Sequence, residues 1–104
     1  MAPTEPSPRQ REAKDAINQA LDLFQRRWML RVLWELRDQA LTFRALQAAC
    51  GDISPTVLNQ RLAELRGAAL LRSDDGYALT PLGRELIVAF DPLSRWALRW
   101  RRAL

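Results

Sequence analysis

The chain contains no histidine, a single cysteine and only four glycines among its 104 residues. Histidine is the commonest general base and the commonest zinc ligand, so both kinds of site lack their usual residue. The four glycines do not form a phosphate-binding loop, and the carboxylates are scattered along the chain. The sequence therefore predicts a protein that is not an enzyme and that holds no metal or other cofactor.

The single Cys50 excludes a disulfide within the chain, which fits a reducing compartment. We interpret it as a small, buried or half-buried residue at a helix end. The alternative is a redox role, for which Cys50 would need a second subunit or a small thiol as its partner.

Long apolar runs are also missing. No segment approaches the ~20 apolar residues needed to cross a bilayer. Residues 1–10 are polar and proline-rich, unlike a signal peptide. We therefore expect a soluble, cytoplasmic protein with no membrane partner, and the length and the 48% hydrophobic content indicate one globular domain.

The charge that is present is mainly arginine. The net charge is +4, and Lys14 is the single lysine among 16 basic residues. The planar guanidinium donates two parallel hydrogen bonds, which suits phosphates and base edges. A modest positive excess is common, so it supports a nucleic-acid partner only weakly.

The first part of the chain is predicted to be a tail followed by helices. Residues 1–9 hold three prolines among small polar residues and are expected to be disordered. From Gln10 to about Phe24, apolar residues recur at i, i+4, i+7 and i+11, which predicts an amphipathic helix. The dense apolar segment from about 27 to 37 predicts a central helix that is contacted on several sides.

Residues 42–66 predict two short helices joined by a tight turn. Thr42 can cap a helix that runs to about Cys50, where a Gly-Asp pair breaks it. A Ser-Pro pair then opens the next helix with a capping hydroxyl and a proline at the first helical position. This arrangement is a helix-turn-helix.

The second of these helices has two different faces. The leucines at helical spacing form a stripe that should be buried: Leu58, Leu62 and Leu65. The opposite face carries Thr56, Asn59, Gln60 and Ala63. Asparagine and glutamine can each hydrogen-bond two atoms of an adenine edge in the major groove of DNA. An ordinary surface helix is the alternative.

An extended run, an Asp-Asp-Gly turn signal and a returning Tyr-Ala-Leu run predict a β-hairpin at 70–79. A two-residue turn would place Leu71 opposite Thr80. A three-residue turn with a left-handed Gly76 pairs Leu71 with Leu79 and puts both leucines on one face, so we prefer it.

The last helix is predicted to run from Pro81 toward Arg102, and Pro92 should kink or break it. Leu41 is expected to form an isolated pairing with the hairpin. The predicted fold class is therefore mainly α (α+β), a winged helix-turn-helix over residues 10–104 with additional helices at both ends.

Several fragments in this order resemble the HxlR-type bacterial transcriptional regulators, a winged-helix group related in architecture to the MarR regulators. The resemblance covers roughly 15–102. The matching fragments are the run from Trp28 to Leu36, Phe43 to Leu46, Ile53 to Leu65, Leu70 to Arg72 and Tyr77 to Gly83, with Trp96 near the end.

The resemblance implies a homodimer that binds double-stranded operator DNA and regulates transcription. The residues expected at the dimer interface are Ile17, Leu21, Phe24, Leu93, Trp96 and Trp100. Those expected at base edges are Ser54, Thr56, Asn59 and Gln60, and Pro55 is placed in the same DNA-binding segment. Those expected at phosphates are Arg44, Arg61, Arg66 and Arg72. The alternative for the terminal apolar residues is that they cover the domain's own core.

The chain departs from the family pattern at several positions. Thr42 stands where a basic residue is usual, and Ala69 where a glycine usually ends the second helix. The hairpin is short and its tip carries Asp74 and Asp75, which phosphates would repel. No cysteine lies near the start of the domain, so the family's thiol switch does not carry over.

Two further hypotheses remain open. The acidic hairpin tip and Thr42 also suit a winged-helix module that binds a protein partner and not DNA. An unknown small-molecule effector could bind between the terminal helices and the core, where Trp28, Trp34, Phe90 and Trp96 are expected to converge.

Overall fold

A computed structural model describes residues 5–104, and within them lie five helices and one two-stranded antiparallel sheet. The elements in chain order are α1 (Pro8–Phe24), α2 (Met29–Glu35), α3 (Phe43–Cys50), α4 (Pro55–Gly67), β1 (Leu71–Ser73), β2 (Tyr77–Leu79) and α5 (Pro81–Ala103). This order confirms the winged helix-turn-helix with additional helices at both ends.

Helix α1 begins earlier than predicted. The Gln10 N–H donates to Ser7 Oγ at 3.2 Å, and the Ser7 N–H donates to Gln10 Oε1 at 2.7 Å. This reciprocal cap is followed by Pro8, whose fixed φ and missing N–H suit the first helical position. Helix α1 therefore includes Pro8 and Arg9, which were predicted to belong to the tail over 1–9. Residues 1–4 lie outside the described part of the chain.

The hydrophobic core lies between α2, α3, α4 and the hairpin. Its fully buried side chains include the predicted leucine stripe of α4 and three residues of α2: Met29, Val32, Leu33, Leu36, Leu46, Leu58, Leu62, Leu65 and Leu79. Because α2 contacts α1, α3, α4 and α5, it is the central helix that the sequence predicted, although it spans fewer residues.

Hydroxyl caps fix both helices of the helix-turn-helix. Thr42 Oγ1 accepts from the Ala45 N–H at 3.1 Å, and Ser54 Oγ accepts from the Val57 N–H at 3.1 Å. Between them Gly51 has a φ of +88°, a conformation that glycine adopts without a steric penalty. The predicted turn is confirmed.

Helix α4 ends in a left-handed residue that is not glycine. Ala69 has a φ of +63°, which costs an alanine about 1 kcal/mol relative to glycine. The turn is held by the Leu70 N–H, which donates to the Leu65 carbonyl oxygen at 3.0 Å. Ala69 thus takes the left-handed conformation that glycine usually provides after the end of a helix.

The hairpin has the predicted register. Leu71 pairs with Leu79, and Gly76 in the turn has a φ of +88°. Leu41 forms the predicted isolated bridge to Tyr77, through N–H···O bonds of 2.9 and 2.8 Å. The bridge attaches the hairpin to the segment that enters α3.

The first turn of α5 packs tightly against the end of α4. The Thr80 N–H donates to the Leu70 carbonyl oxygen at 3.0 Å, and the Thr80 hydroxyl donates to the Ala69 carbonyl oxygen at 2.7 Å. Gly83 is buried there, and a Cβ at this position would overlap the Leu70 carbonyl oxygen. In the Thr-Pro-Leu-Gly segment, the backbone at the start of α5 is therefore in close contact with the backbone at the end of α4.

Helix α5 continues through Pro92, so the predicted break is wrong. Proline removes the donor to the carbonyl four residues earlier, at Val88. Val88 is 71% exposed, so water can satisfy that carbonyl. Within residues 5–104, none of the helices is long and apolar enough to span a bilayer.

The terminal helices make the chain elongated. Its radius of gyration is 16.6 Å and its extents are 59 × 36 × 23 Å, whereas a compact domain of this length has a radius of about 13 Å. Every residue of α1 is at least partly exposed. The terminal helices thus extend from the core and do not enclose it.

We expect Gly83→Ala to lower the free energy of unfolding by about 1–3 kcal/mol, because the new methyl group meets backbone that cannot move aside cheaply. Urea unfolding measures the change. Gly67→Ala is the matched control, since a Cβ there meets open space and alanine should stabilise the helix by about 0.5–1 kcal/mol. If both variants changed the free energy of unfolding equally, the close backbone contact at Gly83 would be contradicted.

Candidate nucleic-acid interface

The amide-rich face of α4 points away from the core. Thr56, Asn59, Gln60 and Ala63 are all exposed, while the leucines on the other side are buried. Ser54 and Pro55 are exposed at the start of the same helix. The structure thus brings together the residues that the sequence predicted for base edges and presents them on one helix face, about 14 Å long from Ser54 to Ala63.

Ser54 keeps hydrogen-bonding capacity at this face. Its Oγ accepts the capping bond from Val57, but the hydroxyl hydrogen remains available to donate. The helix start also carries N–H groups without intrahelical partners, which attract anions. This end of α4 can therefore donate to a phosphate or a base acceptor.

Arg61 borders the amide-rich face, where its Nη2 donates to Gln60 Oε1 at 3.5 Å, but most of its side chain is buried. Its side chain is only 14% exposed, and its Nη1 lies 2.8 Å from Glu64 Oε2. Among the described residues, its buried Nε has no hydrogen-bond partner. The predicted phosphate contact by Arg61 is therefore disfavoured, because the guanidinium is already bound inside the protein.

Glu64 binds a second arginine, which the sequence analysis missed. Arg26 Nη1 lies 3.0 Å from Glu64 Oε2. Arg26 belongs to the connection between α1 and α2, so Glu64 ties that connection to α4. The spacing carries a signal: Arg61 stands three residues after Leu58 and four before Leu65, which places it beside the buried stripe.

Two of the other predicted arginines are free. Arg44 and Arg66 are exposed, and neither has a carboxylate oxygen within 4 Å among residues 5–104. Arg72 is also exposed, but its Nη1 lies 3.5 Å from Asp74 Oδ2 at the hairpin tip. An ion pair so open to solvent is weak. Asp74 nevertheless lowers the net positive charge that the hairpin, the wing of the fold, presents to phosphates.

The predicted dimer residues lie on the terminal helices. Those about half exposed are Ile17, Leu21, Leu93, Trp96 and Trp100. Phe24 is less exposed and packs edge-on against Phe90, with ring centroids 5.4 Å apart. Trp96 and Trp100 stack at 5.8 Å. These half-exposed side chains do not complete the core of a single chain.

The four aromatic residues expected around an effector pocket do not converge. An open groove of about 1080 Å³ does lie between α1, the end of α4 and the start of α5, but its lining includes neither Phe90 nor the tryptophans. Trp34 is half exposed beneath the guanidinium of Arg37, and Trp96 stacks on Trp100. The predicted convergence is wrong because Trp34 and Trp96 occupy exposed helix faces.

Cys50 is buried at the end of α3, as predicted. Burial raises the pKa of its thiol, the carboxylate of Glu35 raises it further, and Arg31 lowers it only in part. A protonated, buried thiol is a poor nucleophile, which favours the packing interpretation over a redox role.

The two arginines of α4, Arg61 and Arg66, should respond differently to truncation. We expect Arg61→Ala to destabilise the fold by about 1–3 kcal/mol, because the buried stem and one partner of Glu64 are lost. Arg66→Ala, the matched control, should change the free energy of unfolding by less than about 0.5 kcal/mol. Urea unfolding of both variants measures this, and a neutral Arg61→Ala would show that its ion pair is not structural.

Comparisons with known proteins agree with this architecture. Residues 23–103 match the model of the HxlR-like helix-turn-helix family. The chain is 27% identical over 99 residues to YvaP of Bacillus subtilis, an uncharacterized HTH-type transcriptional regulator, with 88% of this chain and 92% of YvaP covered.

Solved structures show the same fold. Quinone-bound YodB of B. subtilis is 26% identical with a TM-score of 0.78, over 82% of this chain and 98% of YodB. A protein of Enterococcus faecalis assigned to the MarR family of transcriptional regulators is 23% identical with a TM-score of 0.80, over 99% of this chain and 96% of its own. The chain belongs to the HxlR-like helix-turn-helix family, a family of transcriptional regulators.

Proposed function

We propose that the protein is a homodimer that binds double-stranded operator DNA through the exposed face of α4 and so regulates transcription. The observation that carries this proposal is the placement of Asn59 and Gln60, side by side on the outer face of a helix whose inner face is fixed in the core. Family membership supports it, because HxlR-like proteins are helix-turn-helix regulators.

The amide groups would read bases in the major groove. A groove about 12 Å wide admits one α-helix, and the residues near the start of a recognition helix reach the base edges. In α4 these are Ser54, Pro55 and Thr56, followed one turn later by Asn59 and Gln60. Two such helices related by a two-fold axis would contact half-sites about 34 Å apart.

Phosphate contacts fall to the arginines that are free of carboxylates. Arg66 stands in the last turn of α4 and Arg44 in the first turn of α3, so they flank the amide-rich face along the helix-turn-helix. Arg72 contributes less, since Asp74 shares its charge. Arg61 is left out because Glu64 holds it.

A second copy of the chain would cover the exposed apolar faces of α1 and α5. Trp96 and Trp100 are each about half exposed, as are Ile17 and Leu21. Large apolar side chains in such numbers on two adjacent helices are unusual on a monomer. Covering them would also position the two copies of α4 relative to one another.

A protein-binding module is the second candidate. Asp74 and Asp75 are exposed at the tip of the wing, where they repel phosphates. Salt distinguishes the two functions: DNA binding weakens steeply as the salt concentration rises, whereas an apolar protein interface responds little.

Selection of random duplex DNA against the purified protein, at two salt concentrations, tests the proposed function. We expect recovery of a palindromic motif whose affinity falls steeply with salt. If a folded dimer enriches no sequence at either salt concentration, the DNA-binding proposal is wrong and the protein-binding module replaces it.

Substitutions on α4 should separate recognition of the base sequence from general attraction to the phosphates. Asn59→Ala or Gln60→Ala should relax preference at one base position by about 1–3 kcal/mol, because a pair of base hydrogen bonds is lost. Arg66→Ala should weaken all duplexes about equally and lower the salt slope by about one unit for each half-site. Titration of the selected duplex and single-base variants measures both effects.

The opposite pattern would contradict the assignment of roles. If Arg66→Ala altered base preference while Asn59→Ala and Gln60→Ala left every affinity unchanged, the amide-rich face would not be the reading surface.

Two tryptophan substitutions test the dimer, one inside the proposed interface and one outside it. Trp96→Glu should yield a folded monomer in sedimentation equilibrium, because a buried, unpaired carboxylate is costly at an interface. It should also weaken binding to the palindromic duplex by more than about tenfold, since one half-site contact set is lost.

The matched control is Trp34→Glu. Trp34 is 46% exposed, close to the 50% of Trp96, but it stands on α2 away from the proposed interface. It should leave the protein dimeric. Loss of the dimer in both variants, or in neither, would contradict the proposed interface.

A further inference from the structure

The positive charge of the chain is concentrated on α5. This helix carries five arginines and two carboxylates, a net charge of +3, whereas the whole chain carries +4. Helix α1 has three basic and three acidic residues and is neutral. The helix-turn-helix over 42–67 holds three arginines against Asp52 and Glu64. The largest excess of positive charge therefore lies outside the helix-turn-helix.

Three arginines of α5 form one face of the helix, which we call the arginine face: Arg95, Arg99 and Arg102. They stand at i, i+4 and i+7, and all three are exposed. At about 100° per residue, their mean direction lies about 125° from that of the apolar side chains proposed for the dimer, Leu93, Trp96 and Trp100. A second copy of the chain that covers the tryptophans would therefore leave the arginine face open.

Little inside the chain balances this charge. Within residues 5–104, Arg99 and Arg102 have no carboxylate oxygen within 4 Å. Arg95 lies 3.3 Å from Asp91, but the two side chains are 68% and 66% exposed, so the pair is weak. The sequence after Asp91 contains no other acidic residue.

The requirements of the helix explain only part of the arginine face. Cations in the last turn are favoured by the helix dipole, which accounts for Arg102. Arg95 and Arg99 stand before that turn, and like charges four residues apart destabilise a helix slightly. A bound polyanion would remove this repulsion, which points to a ligand outside the chain.

We infer that the arginine face binds the phosphate backbone of double-stranded DNA without reading its sequence, in addition to the exposed face of α4. The choice of DNA as the polyanion rests on the proposed function. Arg95 to Arg102 spans about 10 Å along the helix axis, over which one DNA strand presents about three phosphates. Each guanidinium can pair with phosphate oxygens through two parallel hydrogen bonds. The arginine face thus matches the backbone in both sign and density of charge.

The separation of the two faces of α5 disfavours an anionic membrane as the partner. A basic helix at a membrane surface buries its apolar face in lipid. Lipid would therefore compete with the second copy of the chain for Trp96 and Trp100. Duplex DNA needs only the arginine face, so DNA and the second copy can be bound at the same time.

Two triple variants of equal charge test the arginine face in the full-length chain. The α5 variant combines Arg95→Gln, Arg99→Gln and Arg102→Gln. The α1 variant is the matched control and combines substitutions at three exposed residues of α1, Arg9→Gln, Arg11→Gln and Lys14→Gln. Urea unfolding and sedimentation equilibrium establish that both variants keep the fold and the oligomeric state of the parent.

Each protein is titrated with an unselected duplex, which lacks the palindromic motif, at several salt concentrations. We expect the α5 variant to bind at least about tenfold more weakly, with a salt slope lower by about two to three units for each arginine face engaged, since each phosphate contact contributes about 0.9. The α1 variant should lose less than about threefold, because distant surface charges are screened. Equal losses in the two variants, or no loss in the α5 variant, overturn the inference.

The duplex on the arginine face can be a flank of the operator or a separate molecule. A selected duplex extended on both sides tests the flank. Capture of a labelled unselected duplex, by protein already immobilised on the selected duplex, tests the separate molecule. We expect the parent to gain affinity from the extension or to capture the second duplex, and the α5 variant to do neither. If the parent does neither, the inference is wrong.

Vesicles of phosphatidylserine and phosphatidylcholine at the same salt concentrations test the membrane. Vesicle binding that is lost in the α5 variant while duplex binding is unchanged would overturn the inference and assign the arginine face to a membrane.

The proposed function and the arginine face fail in different ways. If the parent selects no motif but binds the unselected duplex more tightly than the α5 variant does, the proposed reading by α4 is wrong and the arginine face stands. If the parent selects a motif but both proteins bind the unselected duplex equally, the arginine face is wrong and the proposed function stands.

Discussion

The close approach of two backbones at the end of α4 fixes the relation between all the later elements. The Thr80 hydroxyl and N–H donate to the carbonyl oxygens of Ala69 and Leu70, and Gly83 leaves room for them. The bond from Thr80 to Leu70 extends the Leu71–Leu79 pairing by one step. The hairpin and the first turn of α5 are therefore held together against the end of α4.

Helix α4, which ends at this contact, faces the core on one side and solvent on the other. Its leucines are fully buried, which at about 1.5–3 kcal/mol each makes their orientation hard to change. Rotation of α4 is opposed further by Glu64, which binds Arg61 on its own helix and Arg26 outside it. The outer face contributes little to stability, so its residues are free to be chosen for recognition. The buried inner face therefore keeps the amide-rich outer face in a fixed orientation.

Local rules predicted most of the fold. The caps at Thr42 and Ser54, the turn glycines and the one-face rule for Leu71 and Leu79 each depend on residues close in sequence, and each is present. The prediction for Arg61 overlooked a local signal. Its ion-pair partner, Glu64, stands only three residues away, and the spacing from Leu58 and Leu65 places Arg61 beside the buried stripe. Pro92 was expected to kink or break α5, and the helix continues through it without a break. The exposure of the turn before Pro92 is a tertiary property, which sequence spacing alone does not give. The exposure of the amide-rich face was predictable from helical spacing, because this face lies opposite the leucine stripe.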